Sequence, residues 1–153
     1  MSDGSKPRLI DVIICDDVRQ ETSGKLIVIG IYLGNVLVTS FPTTIPSLSF
    51  ISKWLTRDGS LPAGAYAVVG PDRKSLGTIP STGFPPGPPL PFAMTINRFQ
   101  PFTFRAPGTH RFVFTPDGGR RQTLCTFDVG VLNRGIGEPT KRRKAPRSKR
   151  AQR

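Results

Sequence analysis

The chain is short of the residues that helices are made from. Only two glutamates, Glu21 and Glu138, and seven alanines occur in 153 residues. Glycine and proline, sixteen of each, leave just two stretches longer than ten residues free of both, 8 to 23 and 47 to 58. Since Gly and Pro are the costliest residues in a helix interior, a helical bundle is excluded. There is one histidine, His110, so any scheme needing two imidazoles is excluded. Two cysteines, Cys15 and Cys125, lie 110 residues apart, and one His with two distant Cys does not make a zinc site. Neither a nucleophile elbow nor a glycine-rich phosphate loop is present. The sequence therefore carries no catalytic constellation and implies no cofactor, so a non-enzymatic protein is expected.

Long apolar runs are also missing. Residues 1 to 8 are polar, and the run Leu9 to Cys15 is only seven residues, broken by Asp11. That is too short for a membrane span and unlike a signal peptide. The expectation is a cytoplasmic protein with reduced thiols.

What the chain has is enough apolar material for one core. Leu, Ile, Val and Phe make up 42 residues, too many for a disordered chain. They fall in short, β-rich segments between Gly/Pro turns. Leu9 to Val18 reads as a strand, and Lys25 to Leu33 as another. In the latter Ile27, Ile29 and Ile31 share one face and Leu26, Val28 and Tyr32 the other, which predicts a central strand buried on both sides. Asn35 to Ser40 follows, then a bend through Phe41-Pro42 to Pro46. Leu48, Phe50 and Trp54 give Ser47 to Thr56 strand alternation, although Leu48, Ile51 and Leu55 also fit a helix spacing. Gly64 to Val69 and Gly108 to Phe114 are each opened by a glycine and followed by a Pro-Asp turn. Phe92 to Phe99 alternates Phe92, Met94 and Ile96 with Ala93, Thr95 and Asn97, as a half-buried strand does. Gln122 to Val129 ends the pattern.

Eight or nine such strands predict an all-β antiparallel sandwich, immunoglobulin-like in architecture, with a partly open barrel as the alternative. The domain is expected over 9 to 133, between a disordered N-terminus, 1 to 8, and a disordered tail, 134 to 153.

The strings Ile14-Cys15-Asp16-Asp17-Val18-Arg19-Gln20-Glu21, Gly24-Lys25, Gly30-Ile31-Tyr32 and Phe41-Pro42-Thr43-Thr44-Ile45-Pro46 resemble a group of uncharacterised bacterial proteins. The resemblance covers roughly the first sixty residues. It implies a small all-β domain and assigns no chemistry, so the roles of Asp16, Asp17, Arg19, Glu21, Gly24 and Lys25 stay open.

Several residues invite a functional reading. Asp16, Asp17 and Glu21 are hard oxygen donors that a cation would need to converge; the simpler reading is turn capping and ion pairing with Arg19 and Lys25. Cys15 and Cys125 read as small buried hydrophobes. His110 shares strand parity with Phe112 and Phe114, which places it at the core edge or surface. The interleaved Arg98, Phe99, Phe102, Phe104, Arg105, Arg111 and Phe112 would stack bases if exposed, but the in-out alternation reads more simply as core. The run Pro85 to Pro91 suits polyproline II, as a stiff connection or a docking ligand.

The formal charge is +12, and residues 138 to 153 hold more than half of it. Lys141, Arg142, Arg143, Lys144, Arg147, Lys149, Arg150 and Arg153 stand there against Glu138 alone. Clustered Lys and Arg gain affinity for RNA or DNA by releasing condensed counterions. Two roles follow: a non-catalytic binding or structural module with a protein partner or itself as ligand, or a nucleic-acid-associated protein whose tail makes non-specific phosphate contacts.

Overall fold

The computed structural model describes residues 6 to 87 and 92 to 132. The expected tail and most of the proline run lie outside the described residues. The strands are β1 (Arg8–Gln20), β2 (Leu26–Tyr32), β3 (Asn35–Val38), β4 (Thr43–Ile45), β5 (Leu48–Leu55), β6 (Gly64–Val69), β7 (Ser75–Ser81), β8 (Phe92–Phe99), β9 (Phe102–Phe104), β10 (Gly108–Pro116) and β11 (Gln122–Val131). They form a four-stranded sheet in the order β2-β1-β5-β8, a five-stranded sheet in the order β3-β11-β10-β6-β7, and the small pair β4-β9. The molecule is an all-β sandwich, as the Gly/Pro spacing predicts.

The segment that alternation left open between strand and helix is β5, a central strand with seven of its eight residues buried or half-buried. All pairings are antiparallel except β11 with β3. This exception arises because the chain leaves β2 through Leu33-Gly34 and crosses directly to the other sheet, with Gly34 at φ 110°. A strand that switches sheets through a bend joins the second sheet in the direction it already has.

Between the sheets lies an aromatic core. Phe50 of the four-stranded sheet stacks on Phe112 of the five-stranded sheet with centroids 4.0 Å apart and planes 9° from parallel. Phe99 meets Phe50 edge-on at 5.9 Å, and Tyr66 lies at 5.6 Å from Phe112 on its other flank. Such pairs contribute about 0.5–1.5 kcal/mol each beyond the area they bury. Phe99, Phe102, Phe104, Phe112 and Phe114 are all buried while Arg105 and Arg111 are exposed, so the aromatic–arginine segment is core and not a stacking platform.

His110 lies deeper than its parity suggested. It is fully buried, with Phe104 edge-on at 5.4 Å and Phe127 stacked at 5.7 Å. Its Nδ1 is 2.9 Å from the Gly108 carbonyl, an acceptor only, so Nδ1 carries the proton and Nε2 is a bare lone pair with no partner among the described residues. Burial lowers its pKa below the usual histidine value.

Two expectations about burial are corrected. The segment read as a central strand is β2, an edge strand of the four-stranded sheet. Its Ile27, Ile29 and Ile31 are exposed, while Leu26, Val28 and Tyr32 are only half-buried. Apolar residues on both faces identify a central strand only when both faces are covered, and nothing among the described residues covers the isoleucine face. In β8 the alternation holds but the polar side is the inward one. Thr95 and Asn97 are each 6% exposed, while Phe92, Met94 and Ile96 are 47%, 49% and 42% exposed. Thr95 is hydrogen-bonded to the buried Tyr66 hydroxyl and accepts a bond from Asn97 Nδ2 at 3.3 Å. A buried tyrosine oxygen needs a polar partner, and β8 turns its polar side toward it.

Candidate functional site

The motif residues of β1 and β2 come together around one irregularity. Gly30 adopts φ +66°, a left-handed conformation, beside the Asp16 carboxylate. A Cβ at Gly30 would sit 2.0 Å from Asp16 Oδ2, so only glycine leaves room for that carboxylate. Asp16 then accepts a short hydrogen bond from the Tyr32 hydroxyl. The co-occurrence of Asp16, Gly30 and Tyr32 in the sequence is thereby explained as one packing unit.

Asp17 is the anchor of a second unit. Its Oδ1 is 3.1 Å from Arg98 Nη2 and caps the Val18 N–H at 2.8 Å, and its Oδ2 is 3.2 Å from Arg19 Nε. Arg98 stands on β8, two strands from β1. Its row across the sheet runs through Ser49 and Cys15. Ser49 is fully buried and small, which lets the arginine lie across β5 and also donate to the Val18 carbonyl. Arg98 therefore ties β8 to β1 across β5. It separates two shallow hollows of about 460 Å³ each, one toward Leu26 and Ile96, the other toward Ile45 and Gln100.

Electrostatics follow from these contacts. The Arg19 hydrogen bond, with help from Arg98, holds the Asp17 carboxyl below the usual range. Burial and the Asp16 bond push the Tyr32 hydroxyl up. Burial, reinforced by the charges of Asp16 and Asp17, pushes the Cys15 thiol up to about 11, and burial raises Cys125 likewise to about 11. These four groups are therefore kept away from proton exchange near neutrality, and the thiols from nucleophilic reactivity.

The carboxylates do not converge as a cation would need. Asp16 serves Tyr32, Asp17 serves two arginines and a backbone N–H, and Glu21 accepts from Ser23 Oγ at 3.0 Å. Gly24, at φ +81°, closes the turn by donating its N–H to the Glu21 carbonyl at 2.9 Å. Lys25 is exposed; its backbone carbonyl accepts from Glu21 N–H at 2.9 Å. Pairing with Arg19 is as the sequence suggested; the partner it did not suggest is Arg98, eighty residues on, for which local spacing holds no signal. The tail residues Lys141, Arg142, Arg143, Lys144, Arg147, Lys149, Arg150 and Arg153 lie outside the described residues. Cys15 and Cys125 are free, one in each sheet.

The fold is a small all-β sandwich, and the contacts made by Asp16, Asp17, Gly30, Tyr32 and Arg98 in this chain are packing and strand-to-strand contacts. The family model for a family of unknown function (DUF6941) matches residues 11–129, and the chain belongs to that family. No curated protein matches the chain. No helix among the described residues is long and apolar enough to cross a membrane.

Proposed function

We propose that this protein is a non-catalytic binding module that docks a protein partner on the outer face of its four-stranded sheet. The observation that carries the reading is the composition of that face. Phe92, Met94 and Ile96 on the outer side of β8 and Ile31 of β2, with Ile29 beside it on the same edge strand, are each between 39% and 53% exposed. The row Ile13, Ile51, Ile96 bridges them across the sheet. Monomeric proteins seldom present a contiguous apolar face without a binding role, and β2 adds an edge strand with no charged residue or proline to block pairing. The clamp of Asp16, Asp17, Arg98 and Tyr32 fits a positioning role: it holds β2 and β8 in register at the margin of this face. Free thiols in separate sheets suit a reducing cytoplasm.

The test is native co-isolation from the source cell with the wild-type chain and with Ile29→Thr/Ile31→Thr/Met94→Thr. A partner retained by the wild type and lost from a variant with unchanged melting temperature supports the reading. A partner held equally by both overturns it.

The charge of residues 138 to 153 favours a second reading, a phosphate-tracking arm on an adaptor domain. Fluorescence anisotropy of the full chain with a short RNA hairpin and a DNA duplex, over a salt series, tests it: a steep loss of binding with salt is expected, and absence of binding at moderate salt removes it.

A further inference from the structure

Away from the clamp and from the apolar sheet face, one end of the sandwich holds a cleft of about 900 Å³ that neither reading uses. We infer that this cleft is a binding site for a small anionic ligand with a flat apolar body, such as an aromatic carboxylate, sulfonate or phosphate.

The floor of the cleft is apolar and aromatic. Trp54, Leu61 and Phe114 line it, with Trp54 and Phe114 edge-to-face at 6.2 Å. Pro62, Pro86 and Pro116 add rigid walls. A flat apolar body gains both burial and ring contacts on such a floor.

The rim supplies charge. Lys6, Arg57 and Arg120 line the opening, and among the described residues none has a carboxylate within 4.0 Å. Two acids face them. Asp58 is already engaged, its Oδ1 accepting from Ser60 N–H at 3.0 Å and Ser60 Oγ at 2.6 Å. Asp117, on the β10–β11 turn, is the other. Three cations against one engaged and one exposed carboxylate leave the opening positive, and guanidinium groups bind carboxylate and phosphate through paired N–H donors.

The walls are tied to each other. Leu61 and Phe84 exchange two backbone hydrogen bonds at 3.1 and 2.9 Å, Gly87 N–H donates to the Asp58 carbonyl at 2.9 Å, and Asp117 N–H donates to the Ala63 carbonyl at 2.9 Å. Three separate segments are thereby fixed around one opening before any ligand arrives, which lowers the ordering cost of binding.

The chain's single tryptophan, Trp54, gives the site its own reporter. The probe is 1-anilinonaphthalene-8-sulfonate, titrated into the ¹⁵N-labelled full chain and followed by ¹H–¹⁵N correlation spectra. The expected result is saturable movement of the one indole N–H signal together with the amides of Ser60, Gly118 and Gly119. Arg57→Gln/Arg120→Gln, two exposed substitutions, should weaken binding at least about fivefold, corresponding to about 1 kcal/mol. Ile29→Thr/Ile31→Thr/Met94→Thr should leave it unchanged. Shifts confined to Ile29, Ile31 and Ile96 with a stationary indole signal, affinity indifferent to the arginine substitutions, or no saturable change overturns the assignment. None of these outcomes depends on whether the sheet face binds a protein.

Discussion

The two sheets of this sandwich treat their outer faces in opposite ways. On the five-stranded sheet Thr109, Arg111, Thr126 and Asp128 point to solvent, and Thr109 Oγ1 donates to Asp128 Oδ1 at 2.6 Å. Of its outward apolar residues, Ala67, Val69 and Val113 are small and buried among themselves, and Leu37 on the edge strand β3 is exposed. On the four-stranded sheet the outer face carries Ile31, Phe92, Met94 and Ile96, all exposed, while its inner face takes in Ser52, Thr95 and Asn97. The first sheet obeys the usual sorting of apolar in and polar out. The second reverses it along β8. The reversal lies in one sheet, along β8, which is why the proposed docking face is placed there.

The comparison is tested first where both sheets depend on the same core. Phe112→Ala removes the ring that stacks on Phe50 and Tyr66 and should destabilise by about 4 kcal/mol in urea denaturation, as full core truncations of phenylalanine do. A loss below about 2 kcal/mol would mean the sheets are held together by something other than this stack.

Gly30→Ala comes next. The new methyl must sit at positive φ and displace the Asp16 carboxylate from Tyr32, so a loss of about 2 kcal/mol or more is expected. In an Asp16→Ala background the clash with the carboxylate is removed, leaving only the Cβ contact at 3.0 Å, and the same substitution should cost less; equal costs in both backgrounds would break the assigned clamp.

His110 gives a pH signature specific to the five-stranded sheet. Its folded pKa is depressed below its ordinary value of 6.5, so the unfolded chain takes up the proton first. The stability it contributes is complete above pH 6.5 and is lost as pH falls from there through the folded value. Melting temperature should therefore drop on the acid side of 6.5, more steeply than in His110→Gln; a parallel profile in the two proteins would remove the assignment.

The smallest effect is expected at the exposed face. Ile29→Thr, Ile31→Thr and Met94→Thr should each change stability by less than about 1 kcal/mol, because these side chains are already partly in water and threonine keeps the strand preference. A cooperative loss larger than the three singles together would show that the face is structurally committed within the monomer.

Much of this architecture is readable before folding. The segments read between Gly/Pro turns correspond to strands, while the three-residue β4 lies inside the stretch read as a bend, Phe41-Pro42 to Pro46. Asp17 with Arg19 is legible because the two are adjacent in space by strand geometry alone. Arg98 is not, because its approach depends on β8 lying beside β5 and on Ser49 being small at the crossing point. His110 illustrates the same limit: parity places it on the side of Phe112 and Phe114, but its depth is set by Phe104 and Phe127, which come from other strands.

The sequence by itself determined the all-β class and most of the strand segments, because turn chemistry, β-branching and alternation are local properties of the chain. Only the tertiary structure decided that β2 is an edge strand, that β8 turns its polar side to Tyr66, and that Trp54 faces a cleft with Lys6, Arg57 and Arg120 at its opening. Alternation says that a strand has two sides. Which side is covered depends on what the rest of the chain brings against it.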